Sequence, residues 1–364
     1  MPEEAKPLPK PGMDFTTAPP WWLTRPREIR EFLESLDGVE VEEIGRTAGG
    51  RPIIAAAWGE REELPGRTSA SLASAISGGD AAAFYGTGER TRQNILFVGA
   101  AHGTEWDGTV AALNYLNVLV TGKDLLGREQ AAIAEHGRRH RFVLIPILNL
   151  DGRERAREHV HWINVDPDYF MMISQGLTRE GEILRWPTAK LTCPIPPESV
   201  RVLGTYYNDA GMNLVYDAPF GPDCQPETAA LLAFCRREMP DAILLSHSNH
   251  GSLVDAPSAF IPTHYKQKVH QLAACVGMRC YKDGFPKHAI PRRPDSYAGE
   301  VFYQSDALYH ACGALPFIVE FPCGWQNLPD SHLGILDIGL AVLDEVAIFG
   351  AAYRFRPKDP LVKL

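Results

Sequence analysis

Apolar and polar positions along this chain sort into two rhythms. Residues 26–36 place apolar side chains at helical intervals, whereas 39–46 and 52–58 read as two strands around a turn at Gly49-Gly50. From residue 95 onward, apolar runs and helical patterns alternate. Strands are expected at 95–100, 142–148, 242–246 and 315–321. Helices are expected at 106–120, 128–136, 227–238, 266–276 and 333–349. Such alternation predicts an α/β domain with a mostly parallel sheet covered on both faces. In sheets of that kind, chemistry gathers beyond the carboxyl ends of the strands.

Three stretches fall outside the rhythm. Residues 1–25 form a Pro-rich arm in which Trp21 and Trp22 are suited to pin it to the body. Residues 60–93 are rich in Ser, Ala, Gly and charge and read as an insertion. Residues 152–207 are long and poorly periodic, which is the mark of a functional loop and suggests a cleft wall. The expected organisation is an arm (1–25), one catalytic domain (26–350) and a tail (351–364).

Composition narrows the function classes. With 45% hydrophobic and 22% charged residues, the chain has ample material for a large core. A net charge of -9 and the lack of a basic stripe argue against nucleic acid as a partner. Arg138-Arg139-His140-Arg141 is short enough to be a solvated edge. The start, Met1 to Lys6, lacks a basic-then-apolar leader, and no uncharged apolar stretch is long enough to span a bilayer. Seven scattered cysteines do not form a disulfide framework. Reduced thiols and a cytoplasmic, membrane-free protein are therefore expected.

The candidate chemistry lies at strand ends. The apolar run 95–100 is followed by His102-Gly103-Thr104-Glu105, an imidazole and a carboxylate in one strand-to-helix turn. Catalytic zinc sites take three N/O ligands from the protein and keep one position open. The third ligand is expected from the end of the run 242–246, where His247 is preferred and His250 is the rival. Glu320, a carboxylate inside the apolar run 317–321, needs a partner or a task, because burying it unpaired is costly. A general base is such a task. A satisfied core Glu is the alternative. For His102 and Glu105, the plain alternative is a turn histidine and a carboxylate favoured by a helix start. His159 and His161 lie in loop sequence without a carboxylate at ligand spacing and read as surface or cleft-wall residues.

With these residues in place, the chain resembles the zinc carboxypeptidase family from about residue 26 to 349. The segment 43–53, Glu-Ile-Gly-Arg-Thr-Ala-Gly-Gly-Arg-Pro-Ile, looks like its opening hairpin. His102-Gly103-Thr104-Glu105-Trp106 looks like its first metal motif, and Asn149-Leu150-Asp151-Gly152 like the turn after its next strand. Pro226-Glu227-Thr228 resembles the start of the helix before its third ligand, and Ser246-His247-Ser248 that ligand. The resemblance implies a single domain with a mixed, mainly parallel sheet of about eight strands. It also implies one Zn²⁺ held by His102, Glu105 and His247, Glu320 as general base, and a peptide substrate. Tyr297 is similar in placement to the family's mobile cleft tyrosine, with Tyr303 as competitor.

Departures from the pattern bear on specificity. The family grips a free C-terminal carboxylate with an Asn-Arg pair. The matching run here, 208–214, carries Gly211 and Met212 in that place, followed by Asn213. Met212, Asn213 and Asp306 are the expected substrate-facing residues. Thr104 stands where an arginine is often found, and Arg185 is the candidate for the oxyanion-stabilising arginine. Arg292-Arg293 is a possible substitute for the lost carboxylate grip. The Gly after His102 is also similar to the His-Gly-x-Glu of the succinylglutamate desuccinylase and aspartoacylase branch. That keeps an N-acyl amino acid deacylase open, and a non-catalytic binding protein on the same fold is the third possibility.

Overall fold

The computed structural model describes residues 7–10, 18–63, 90–157, 162, 165–185, 193–217, 224–249, 254–255, 260–288, 302–324 and 331–355. In chain order the described elements are α1 (Pro26–Ser35), β1 (Val39–Arg46), β2 (Pro52–Trp58), β3 (Asn94–Val98), α2 (Asp107–Thr121), α3 (Ala131–Gly137) and β4 (Arg141–Ile145). There follow α4 (Leu150–Arg155), α5 (Pro167–Gln175), β5 (Gly176–Thr178), β6 (Val200–Leu203), α6 (Pro226–Glu238), β7 (Ala242–Asn249) and β8 (Val254–Asp255). The last are α7 (Thr263–Lys282), α8 (Gln304–Cys312), β9 (Leu315–Pro322) and α9 (His332–Ala352). A short 3-10 turn, Leu214–Tyr216, also bears on the site.

The main sheet has seven strands in the order β1-β2-β4-β3-β7-β9-β8. Its centre, β4-β3-β7-β9, is parallel. The edges, β1, β2 and β8, pair antiparallel. The mixed, centrally parallel α/β sheet expected from the sequence is therefore present. Its seven strands among the described residues agree with the expected count of about eight, and β5 and β6 form a separate two-stranded sheet.

Strand parity divides the core. Phe97, Leu244, Phe317 and Val319 face one layer with α2, α7 and α9. Leu96, Val98, Ile243, Leu245 and Ile318 face the other, with Leu231 and Leu232 of α6 and Leu308 of α8. The central strands are apolar on both sides because both faces are covered. α2 is buried along most of its length and stops at Gly122, whose φ of 82° caps the helix in the left-handed region. α1 buries only Ile29 and Leu33, one turn apart, and keeps Arg27–Glu31 and Arg30–Glu34 pairs outside.

Two stretches hold elements that the hydrophobic rhythm did not mark. The stretch 152–207, read as long and poorly periodic, is one. It contains α5, started by Asp166 accepting from the Tyr169 N–H with Pro167 in the first turn, and the β5–β6 hairpin. α8 also escapes the hydrophobic rhythm, because it is short and starts in a polar run capped by Tyr303 and Asp306. Residues 64–89 of the expected insertion lie outside the described residues. None of the seven cysteines forms a disulfide, and no described helix is long and apolar enough to cross a membrane.

Candidate metal centre

β3 ends at Val98, and the chain leaves it through a tight turn. Ala100 there has φ 44°, a left-handed value that costs a non-glycine residue about 1–2 kcal/mol. The turn is held by its neighbour: Gly99 O accepts from the Leu148 N–H at 2.9 Å and Ala100 O from the Asn149 N–H at 3.0 Å. The exits of β3 and β4 are thereby zipped together. Gly103 then passes so close to the second exit that a Cβ would lie 2.3 Å from Gly152 C and 2.4 Å from Arg153 N. This is why the His102 and Asn149–Gly152 motifs occur together: their backbones touch. Glu105 N–H closes the turn on His102 O at 3.0 Å, and α2 begins two residues later.

His247 comes from β7, which runs three residues beyond its expected end. In the parallel register His247 lies directly beside Glu320 of β9. Parity puts both on the face that carries Leu245 and Ile318, so the two side chains project side by side. His102, Glu105 and His247 converge, with ligand atoms within 4.8 Å of one another and all three residues buried. His247 Nδ1 lies 2.9 Å from Glu105 Oε2. His102 Nδ1 lies 3.0 Å from Glu105 Oε1.

The proton placement on His102 tests whether these residues suit a cation. Asn213 Oδ1 accepts from the Val215 N–H at 3.2 Å, which fixes that atom as the carbonyl oxygen. The same oxygen is 3.1 Å from His102 Nε2, so Nε2 must carry the proton. In the neutral ring, Nδ1 is then a bare lone pair. It is buried and lies 3.0 Å from Glu105 Oε1. Two electron-rich atoms held face to face call for positive charge between them. The donor set, two imidazoles and a carboxylate, is that of a zinc site with a free position. The outer contact from Asn213 sets the tautomer a metal needs. Burial acts to raise the Glu105 pKa, but the two imidazoles outweigh it and hold the carboxyl below its usual range.

Around the ligands lies a polar shell. Tyr206 stacks on His102 with ring centroids 3.8 Å apart and an interplanar angle of 8°. Its phenol is enclosed beside Glu105 and Glu320, and burial with those charges pushes its pKa well above the ordinary value. Asp107 accepts from Ser248 Oγ at 2.8 Å, and burial raises its carboxyl to about 8. Thr104, where an arginine was the familiar residue, is buried and takes a hydrogen bond from Thr205 Oγ1 at 3.1 Å. Farther out, Asp151 gathers donors from Thr47, Gly49, Arg51 and Asp209, binding the opening hairpin to the loop that carries Tyr206.

The remaining candidates are dispersed. Asn213, expected on the cleft wall, is 3% exposed and sits behind His102. Met212 O accepts from the Asn208 N–H at 2.9 Å, and the Met212 N–H donates to Asn208 Oδ1 at 2.9 Å. Asp306 is buried at the start of α8, accepting from the Tyr303 and Phe260 N–H groups. Arg185 is exposed and engaged with Asp168 at 2.6 Å. Tyr297, His250, His159, His161 and Arg292-Arg293 lie outside the described residues. Sequence reasoning missed Tyr206 and Asp107. The one signal for the former is the doublet Tyr206-Tyr207 in a loop, where Tyr207 alone enters the core.

Comparison with known proteins bears on the family and the fold. Residues 29–183 match the family model of the zinc carboxypeptidases. No curated protein matches the chain. A solved metallo-carboxypeptidase from Burkholderia cenocepacia is 17% identical, with 90% of this chain and 69% of that one covered and a TM-score of 0.54. Thrombin-activatable fibrinolysis inhibitor is 14% identical over 90% of this chain and 72% of that one, with a TM-score of 0.51. A metallo-carboxypeptidase from Pseudomonas aeruginosa is 15% identical over 88% and 67%, with a TM-score of 0.50. At these identities the structural likeness carries the fold alone.

Proposed function

We propose that the chain, whose residues 29–183 match the family model of the zinc carboxypeptidases, is a divergent member of that family and a zinc-dependent hydrolase of peptide or related amide bonds. The observation that carries the reading is the convergence of His102, Glu105 and His247, all buried, with ligand atoms within 4.8 Å of one another. His102, Glu105 and His247 would hold one Zn²⁺. When bound, zinc polarises a carbonyl oxygen and brings the pKa of a coordinated water from 15.7 to roughly 7.

The rest falls to the chain. Glu320, beside His247 in the register, takes the proton of the attacking water and returns it to the departing nitrogen. Arg185 and Tyr297 are the proposed partners of the developing charge, and Asp306 and Met212 the proposed boundary of the substrate cleft. The run 208–214 holds no arginine, so the bidentate grip on a free C-terminal carboxylate is missing there. Peptides with amidated C-termini should therefore be cleaved about as well as free acids.

The test pairs chemistry with metal content. Glu320→Gln should keep its metal and lose at least about 100-fold in turnover, the usual scale for a general base. Full activity in that variant would end the proposal. The substrate panel compares free-acid peptides, their amides and N-acylated amino acids. A strict requirement for a free C-terminus would overturn the specificity argument. Turnover of acylated amino acids alone would replace the peptidase reading with a deacylase.

A further inference from the structure

Tyr206 has no part in the hydrolytic scheme, yet it lies against two of the three ligand residues, His102 and Glu105. Its ring lies flat on the His102 imidazole, 3.8 Å away. Its hydroxyl sits beside the Glu105 carboxylate, and burial together with the nearby Glu105 and Glu320 raises its pKa. The backbone that carries it is fixed from several directions. Tyr206 N–H donates to Ser174 O at 3.0 Å and Thr205 N–H to Ile173 O at 2.9 Å, both at the end of α5. Thr205 O accepts from the Gly103 N–H at 2.9 Å, and Thr205 Oγ1 reaches Thr104 Oγ1 at 3.1 Å. The loop of Tyr206 is therefore bonded to the first metal motif itself, through Gly103 and Thr104.

We propose that Tyr206 is a positioning residue of the metal site: its ring sets the plane of His102, and its O–H holds the Glu105 carboxylate turned toward the cation. The inference rests on the metal reading above and deepens it. A carboxylate on a long side chain has several orientations, and a ligand imidazole can turn about two bonds. Asn213 restrains the edge of His102 but leaves its tilt open. A flat ring against one face removes the tilt. An O–H bond to one carboxylate oxygen removes the carboxylate's rotation, while the oxygen keeps a lone pair for the metal. Outer contacts of this kind typically change metal affinity 10–100-fold when removed.

The test uses the full chain stripped of metal. Zn²⁺ affinity is measured by chelator competition, and Co²⁺ replaces zinc to report ligand geometry by visible absorption. Tyr206→Phe keeps the ring and loses the O–H; Tyr206→Leu loses both. The expected result is one metal per chain throughout, with Zn²⁺ bound about 10–100-fold more weakly by the Phe variant and more weakly again by the Leu variant. The Co²⁺ band should shift in both, at an unchanged melting temperature of the metal-free Phe variant. Wild-type affinity with a wild-type Co²⁺ spectrum in Tyr206→Phe would overturn the role of Tyr206 alone. A wild-type chain that takes up no metal would overturn the reading beneath it and this inference together. If Tyr206→Leu does not fold, the near-isosteric Phe variant still decides the question.

Discussion

Replacing Asp151 by Asn isolates the joint between the opening hairpin and the metal loops. The side chain is fully buried. Oδ1 accepts from Thr47 Oγ1 at 2.5 Å and Arg51 Nη1 at 2.6 Å; Oδ2 accepts from the backbone of Gly49 at 2.9 Å and of Asp209 at 3.0 Å. An amide has one oxygen to offer. Whichever way it turns, its NH2 faces two donors, so two charge-assisted bonds are lost. Each is worth about 1.5–3 kcal/mol. Arg51 is about one-third exposed and keeps Asp209, so water recovers part of its share. The net cost is therefore put at about 3–4 kcal/mol, a large part of a stability of about 5–15 kcal/mol.

The pH dependence has a definite sign. Burial acts to raise the Asp151 pKa, but the hydrogen bonds from Thr47, Asp209, Gly49 and Arg51 outweigh it and hold it below the usual value. A carboxyl depressed in the folded state stabilises above its unfolded pKa of about 3.9, and that contribution disappears as pH falls through the folded value. Urea unfolding at pH 7 and down an acid series should show the loss at neutral pH and a flatter acid limb in Asp151→Asn. A cost under about 1 kcal/mol at pH 7, typical of an unremarkable site, or an acid limb identical to wild type, would refute the reasoning.

Gly103→Ala should strain the contact between the two strand exits, because the new methyl would meet backbone atoms of Gly152 and Arg153 at 2.3 and 2.4 Å. Overpacking against atoms that cannot rotate away costs about 1–3 kcal/mol or more; denaturant unfolding and zinc titration of the variant should both weaken, and an unchanged pair of values would contradict the close approach. Arg185→Ala should leave thermal stability unchanged, since its exposed pair with Asp168 is worth about 0–1 kcal/mol. In the same variant, a fall in turnover of about 100-fold or more would support Arg185 as an oxyanion donor, and unchanged turnover would remove it from that role.

Much of the fold was legible because parallel strands are continuous apolar runs. β3, β7 and β9 announced themselves, and with them the strand ends where His102, His247 and Glu320 stand. Elements without a strong rhythm were not legible. α5 is introduced by Asp166-Pro167, a cap signal that reads equally as a loop. α8 opens on Gln304-Ser305-Asp306, whose burial is a product of tertiary packing. β8 is too short to carry a period. In the site, ligand types and strand ends marked His102, Glu105 and His247. The role of Asn213 depended on which loop folds behind His102, and Tyr206 on a ring stacked across a gap of 104 residues (206 − 102). No local pattern encodes such contacts.

The central claim is that three residues distant in sequence hold a single divalent cation. Zinc counted per chain by elemental analysis, after dialysis against the metal and then against buffer, tests it most directly. The account predicts one zinc in the wild-type protein and none retained by His102→Ala or His247→Ala. Equal zinc in the wild type and both variants would contradict it.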